Sequence, residues 1–224
     1  MAEPVVGAVM IRSPVTVPSG APLKQVACAL LTADACAVPV LAARTPIGVI
    51  SEYDILANLE FHGGIDPLPI LGAGAARRRR RQARATCARE LMSSPAPLIR
   101  ENAPIGVAVR RLSDPARAAL CVVNERLELT GLLTRRELLA IYRRTDAELA
   151  AEVRRALEPG RSRPARDRAT PAVLVLGGVV TLDGELAYRS QVEHAGFAAS
   201  RVAGVVAVHN NLRYDVDDLL VTGF

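Results

Sequence analysis

The chain repeats itself, and this repetition limits its fold more than any other feature. Met10 recurs as Met92, Ala21-Pro22-Leu23 as Ala103-Pro104-Ile105, and Val40 as Val122, each 82 positions later. Ile47-Gly48-Val49-Ile50-Ser51 then recurs as Thr130-Gly131-Leu132-Leu133-Thr134, at an offset of 83. One inserted residue over that span is ordinary loop drift. Two copies of one folding unit are expected to pack as a pseudo-twofold pair with a seam and related clefts.

Each copy reads strand–helix–strand–strand–helix. In the first, Val15-Thr16-Val17 is extended and Pro22 opens a helix, a position proline tolerates. Leu23, Val26, Ala27, Leu30 and Leu31 then recur on one helical face. Ala37 to Leu41 and Ile47 to Ile50 are apolar runs that read as strands, and Ser51 caps a helix running to about Leu59. The second copy repeats the order. Leu120 to Val123 and Leu129 to Leu133 read as its strands, and Thr134 caps a helix that reaches about Arg143.

Between the copies, Phe61 to Ala85 is rich in Gly, Pro and Ala and contains Arg77 to Arg81. From Ala57 to Glu90, seven arginines face three carboxylates, so this stretch holds most of the net charge of +5. A run of like charges in such a context reads as a solvated, extended linker, one that can be deleted without unfolding the pair. Charge confined to one segment gives no global steering field for nucleic acid. With aromatic residues at 3%, stacking platforms for single strands are also disfavoured.

The last third differs from both copies. Asp146 is placed to cap a helix with Leu149, Val153, Ala156 and Leu157 on one face. Two apolar runs flank Gly177-Gly178, the signal for a tight hairpin whose turn needs positive φ. A helix is expected over Ala187 to Ala199, and a final strand over Val205 to Tyr214.

The repeated text, VMIRSPVTV…APLKQVACALL…AVPVL…PIGVISEYDIL and LMSSPAPLI…APIGVAVRRL…ALCVV…LTGLLTRRELL, resembles the CBS domain, named after cystathionine β-synthase. GVVTLDGEL and VAGVVAVHNNL resemble the two glycine-centred signatures of the BON domain. The implied architecture is mixed α+β and α/β: two β-α-β-β-α repeats as a pseudo-twofold pair, at 5–60 and 86–144, with a small α/β BON domain at 146–215. Residues 61–85 are the linker.

The resemblance also implies a site. In the CBS signature, a small hydroxyl and a carboxylate three residues later meet an adenosine ligand, which here points to Ser51 and Asp54. Gly48 would let backbone approach the ligand, and Thr16, Val38 and Pro39 would line the same cleft. A helix N-terminus suits phosphate, and a carboxylate such as Asp54 accepts bonds from ribose hydroxyls. At the second cleft the counterparts are Thr134, Arg135, Arg136 and Glu137. There Thr-x-x-Glu is also the pattern of a capping box, and the two arginines suit phosphates.

No metal-ligand spacing links His62, His194 and His209, and no Ser–His–Asp grouping or phosphate-binding glycine loop is present. Cys28, Cys36, Cys87 and Cys121 show no C-x-x-C and read as free buried thiols of a reducing compartment. The resulting expectation is a non-enzymatic cytoplasmic sensor. It requires no cofactor, binds an adenine nucleotide as regulatory ligand, forms a homodimer, and uses the BON domain to reach a protein partner not named by the sequence. A ligand-free structural adaptor is the alternative. Family members of the BON type are proposed to bind phospholipid, so a membrane role through that domain is a further reading. It would be a salt-sensitive one, resting on Arg161, Arg163, Arg166 and Arg168. The acidic N-terminal residues carry no export signal.

Overall fold

A computed structural model of the chain describes residues 4–64, 73–158 and 170–219. Contacts divide it into two compact units, Pro4–Leu138 and a second from Leu139 onward.

The first unit contains both repeats. A short 3-10 turn at Val6–Ala8 leads to β1 (Ile11–Arg12), β2 (Val17–Pro18), α1 (Leu23–Thr32), β3 (Ala37–Ala42), β4 (Thr45–Ser51) and α2 (Glu52–His62). Then come α3 (Ala73–Ala83), α4 (Ala88–Leu91), β5 (Leu98–Arg100), α5 (Ile105–Leu112), β6 (Ala119–Val123), β7 (Leu129–Thr134) and α6 (Arg135–Leu139). One sheet runs β2-β3-β4 and the other β1-β7-β6-β5. In each copy the first pair is parallel and the hairpin antiparallel, as the repeat requires. The seam between them is small and apolar. It gathers two sets of repeat mates, Ala37 with Ala119 and Val49 with Leu132, into one buried cluster.

The copies are not independent, because each core is closed by the segment that leads into the other copy. Val6 and Met10 are buried with Ile99, Leu112, Leu120 and Leu133 of the second copy. Ala88, Leu91 and Met92 are buried with Val26, Leu30, Val38 and Ile50 of the first. Backbone pairing follows the same exchange. Ile11 and Arg12 pair with Leu132 and Gly131, while Val49 and Ser93 exchange bonds of 3.1 and 2.9 Å. Gly48, the glycine expected beside the ligand, admits one of these segments, and Gly131 admits the other. A Cβ on Gly48 would lie 2.9 Å from the Ser93 carbonyl oxygen, and one on Gly131 would lie 2.9 Å from that of Ile11. Backbone held in a ladder cannot retreat cheaply. Gly48→Ala is therefore expected to destabilise the unit by about 1–3 kcal/mol, measured by urea denaturation. A neutral effect would show that the crossing strand is loosely held.

The linker expectation is corrected for the described part of 61–85. Helix α3 carries the arginine run, and its inner side packs down. Arg79 and Gln82 are buried, as are Ala83 and Ala85. Arg79 pairs with Glu60 at 2.8 Å, donates to the Tyr53 carbonyl, and stacks 4.4 Å from the Tyr53 ring centre. Asn58 of α2 donates to the Ala83 and Ala85 carbonyls. Helical spacing sends Arg77, Arg80, Arg81 and Arg84 to solvent, so mutual repulsion among the arginines is relieved without unwinding the segment. A deletion of 61–85 would remove these partners and open the first core.

The second unit has α7 (Asp146–Leu157), β8 (Ala172–Leu176), β9 (Val179–Asp183), β10 (Glu185–Tyr188), α8 (Arg189–Ser200), β11 (Ala207–Asn210) and β12 (Arg213–Val216). Its core is Leu149, Val153, Val173, Val175, Val180, Leu182, Ala199 and their neighbours. The hairpin forms at Gly177-Gly178, both at positive φ. Two readings change. Thr145, not Asp146, caps α7, in a box with Glu148. Asp146 instead accepts from the Gly177 and Gly178 amides at 2.8 and 2.9 Å and holds the turn. The expected final strand is two strands: β11 pairs with β9 and β12 with β10, both parallel. Arg161, Arg163, Arg166 and Arg168 lie outside the described residues.

All four cysteines are free, but only Cys121 is fully buried, while Cys28 and Cys36 are exposed. Among the described residues, no helix is long and apolar enough to cross a membrane, and no group of three or more His, Cys, Asp or Glu could hold a metal ion.

Candidate functional site

Among the described residues of the unit of the repeats are two clefts, both assembled from mixed parts. The larger, about 760 Å³, has Ser51, Tyr53 and Asp54 from the start of α2 on one side. Facing them are Ser93 and Pro95, from the segment leading into the second copy, and the Asp114–Ala119 turn of that copy. Arg78 of α3 and Arg135 of α6 also line it. The smaller cleft, about 470 Å³, is the pseudo-symmetric counterpart. Thr134, Arg135, Arg136 and Glu137 of the second copy meet Ile11 and the Ala33–Ala37 turn of the first. Each cleft thus combines one copy's helix start with the other copy's turn, a consequence of the crossed leading segments.

The residues expected at a single cleft are not all brought together. Ser51 and Asp54 line the larger cleft. Gly48 lies behind it, against Met92. Val38 is fully buried in the first core, Pro39 is buried in β3, and Thr16 is half-buried. None of these last three belongs to the lining of either cleft.

Asp54 is engaged within the protein. Its Oδ2 accepts from the Ser51 amide at 2.8 Å and from the Ser51 hydroxyl at 2.7 Å. Its Oδ1 accepts from Gln82 Nε2, with Ser93 Oγ at 3.5 Å. Gln82 also donates to the Leu91 carbonyl at 2.9 Å. Ser51 and Asp54 therefore form a capping box that doubles as the buried anchor of α3. Asp54, expected to accept from ribose hydroxyls, thus lines the cleft with its carboxylate already engaged by Ser51 and Gln82. At the second cleft Glu137 accepts from the Thr134 amide at 2.9 Å and from the Thr134 hydroxyl, which itself accepts from the Arg136 amide at 3.1 Å, so both side chains serve the start of α6.

The arginines divide by their bonds. Arg135 donates to the Leu112 carbonyl at 2.9 Å and the Asp114 carbonyl at 2.8 Å, fixing the turn between the clefts. Arg117 pairs with Asp114 at 3.3 Å. Arg136 pairs with Asp34 at 3.1 Å, both well exposed, an arrangement worth little in water. Arg78 makes no hydrogen bond or ion pair among the described residues. Sequence reasoning passed over Arg78, Arg117 and Asp114. The signal that could have found Arg78 is helical spacing within the arginine run, which puts 78 and 82 on one face.

Thiol chemistry is disfavoured at Cys36 and Cys121. Partial desolvation raises the thiol of Cys36, which still reaches solvent, above its ordinary value; a Thr134 hydrogen bond opposes this, and Glu137 adds to it. Burial pushes Cys121 up to about 12, so it stays protonated and inert.

A sequence model of the CBS domain matches residues 6–60 and 88–144, half of the chain, and one of the BON domain matches 145–215. No curated protein matches the chain. Among solved structures, CBSX2 from Arabidopsis thaliana in complex with AMP is 21% identical, with a TM-score of 0.51 over 60% of this chain and 93% of its own. The CBS domain pair of protein MJ0100, in complex with 5′-methylthioadenosine and S-adenosyl-L-methionine, is 15% identical, with a TM-score of 0.50 over 62% of this chain and 99% of its own. At these identities the likeness is one of fold.

Proposed function

The chain belongs to the CBS-domain family and carries a C-terminal BON domain, and from that premise we propose that it is a non-catalytic regulator that binds an adenosine-type ligand in the larger cleft. The observation that carries this reading is the cleft itself. Its volume, about 760 Å³, is in the range of small-molecule sites. The N-terminus of α2, an eleven-residue helix, opens on it and favours an anion. Both copies supply its walls, so a ligand there contacts both of them. Such a ligand biases whichever arrangement it fits best. The AMP bound to CBSX2 and the adenosine compounds bound to MJ0100 support the ligand class. The BON domain is the output to a protein partner, and a second copy of the chain is the natural dimer partner for exposed Leu56 and Leu59 of α2.

A thermal shift series with AMP, ADP, ATP and S-adenosyl-L-methionine tests this. A saturable rise is expected, amounting to about 2.7 kcal/mol at a hundredfold excess over Kd. One observation favours a second reading, a ligand-free adaptor: Asp54 and Glu137 are both bonded internally. A flat response to every compound would establish the adaptor and remove the sensor.

A further inference from the structure

We propose that α3, which falls outside both matched CBS segments, makes the larger cleft selective for phosphorylated over uncharged adenosine ligands through Arg78; this rests on the reading of that cleft given above. Four charged groups of the lining have settled roles. Asp54 closes the cap and holds Gln82. Asp114 and Arg117 neutralise each other, and Arg135 is held by two backbone carbonyls. Glu52 is exposed, in the first turn of α2. Arg78 lines the cleft half-buried and with no partner among the described residues.

Its position is set by its neighbours on α3. Arg79 is buried against Tyr53 and Glu60, and Gln82 is buried against Asp54 and the Leu91 carbonyl. These two contacts, three residues apart on one helix, fix the rotation of α3. With that rotation fixed, Arg78 meets the cleft beside the start of α2. A guanidinium and a helix N-terminus on one cavity make a site for a phosphate, since each favours the same charge and the guanidinium can bind two oxygens at once. An adenosine without a phosphate uses neither.

Calorimetry on the full chain with AMP and with 5′-methylthioadenosine tests the proposal. The parent protein should bind AMP at least about tenfold more tightly, and Arg78→Gln should remove about tenfold of the AMP affinity. 5′-Methylthioadenosine should change less than about twofold, and Arg78→Lys should restore part of the AMP affinity, as the ammonium keeps the charge but not the fork. Melting of each variant, expected within about 2 °C of the parent because Arg78 makes no hydrogen bond or ion pair among the described residues, guards against misfolding. Equal parent affinity for the two compounds, or an equal loss of both in Arg78→Gln, would overturn the selectivity while leaving the cleft assignment standing. Failure of the parent to bind either compound would remove both.

Discussion

A fragment ending at Gly64 should fail to fold cooperatively, although it contains the whole of the first repeat. It lacks Ala85, Ala88, Leu91 and Met92, which complete the first core, and it strands Val6 and Met10, whose partners are in the second copy. Burying a Leu or Met side chain is worth roughly 1.5–3 kcal/mol, so losing these residues removes on the order of 5 kcal/mol or more. A domain's whole stability is about 5–15 kcal/mol, and a unit of some 60 residues is marginal even when complete. Circular dichroism melts of residues 1–64 and 1–138 would compare them directly. The longer fragment should melt in one sigmoidal step and the shorter should show none. A cooperative transition in the shorter fragment would mean that the crossed segments decorate the core rather than close it.

Asp54→Ala should destabilise the first unit by about 2–4 kcal/mol, an effect on the fold before any on binding. The substitution removes the cap of α2, which is worth about 1 kcal/mol. It also leaves the Ser51 amide and one of the two N–H groups of the buried Gln82 amide without an acceptor, at a cost of about 1–3 kcal/mol. Urea midpoints for Asp54→Ala, Gln82→Ala and the double variant form a cycle. Because the two side chains touch, the double variant should be less destabilised than the sum of the singles. Strict additivity would show that the Asp54–Gln82 bond carries no weight, and an unchanged midpoint in Asp54→Ala would return Asp54 to the ligand.

What the sequence made legible was what the repeat and periodicity encode. The order of strands and helices in each copy, the Gly177-Gly178 hairpin, and the caps at Ser51 and Thr134 are local patterns and are found as read. The crossed closure was not legible, because Val5 to Ile11 opens the first copy in sequence yet packs on the second, and apolar periodicity does not name a partner. Met10 and Met92 were recognised as repeat mates, but nothing local shows that each lies against the other copy's glycine. The arginine run misled for a related reason. Charge density argues for solvent, while the two residues that anchor the helix, Arg79 and Gln82, reveal themselves only once Asp54, Glu60 and Tyr53 are in place. The motif placed Ser51 and Asp54 together at one helix start, but the commitment of Asp54 to Gln82 was hidden by a separation of 28 residues in the chain. Asn211 and Leu212 split the last strand because its halves serve different sheets, a tertiary choice that overrides strand propensity.

The reciprocal closure bears on how such a chain can respond to dilution. A single repeat that needs a leading segment from elsewhere would find it only in another molecule, and its stability would then rise and fall with protein concentration. Joining the two repeats turns that encounter into one within a single chain, at an effective concentration set by tether length rather than by how much protein is present. The tandem unit is in this sense a dimer made covalent. The fold of its clefts is guaranteed at any abundance, which leaves ligand concentration as the variable to which they answer.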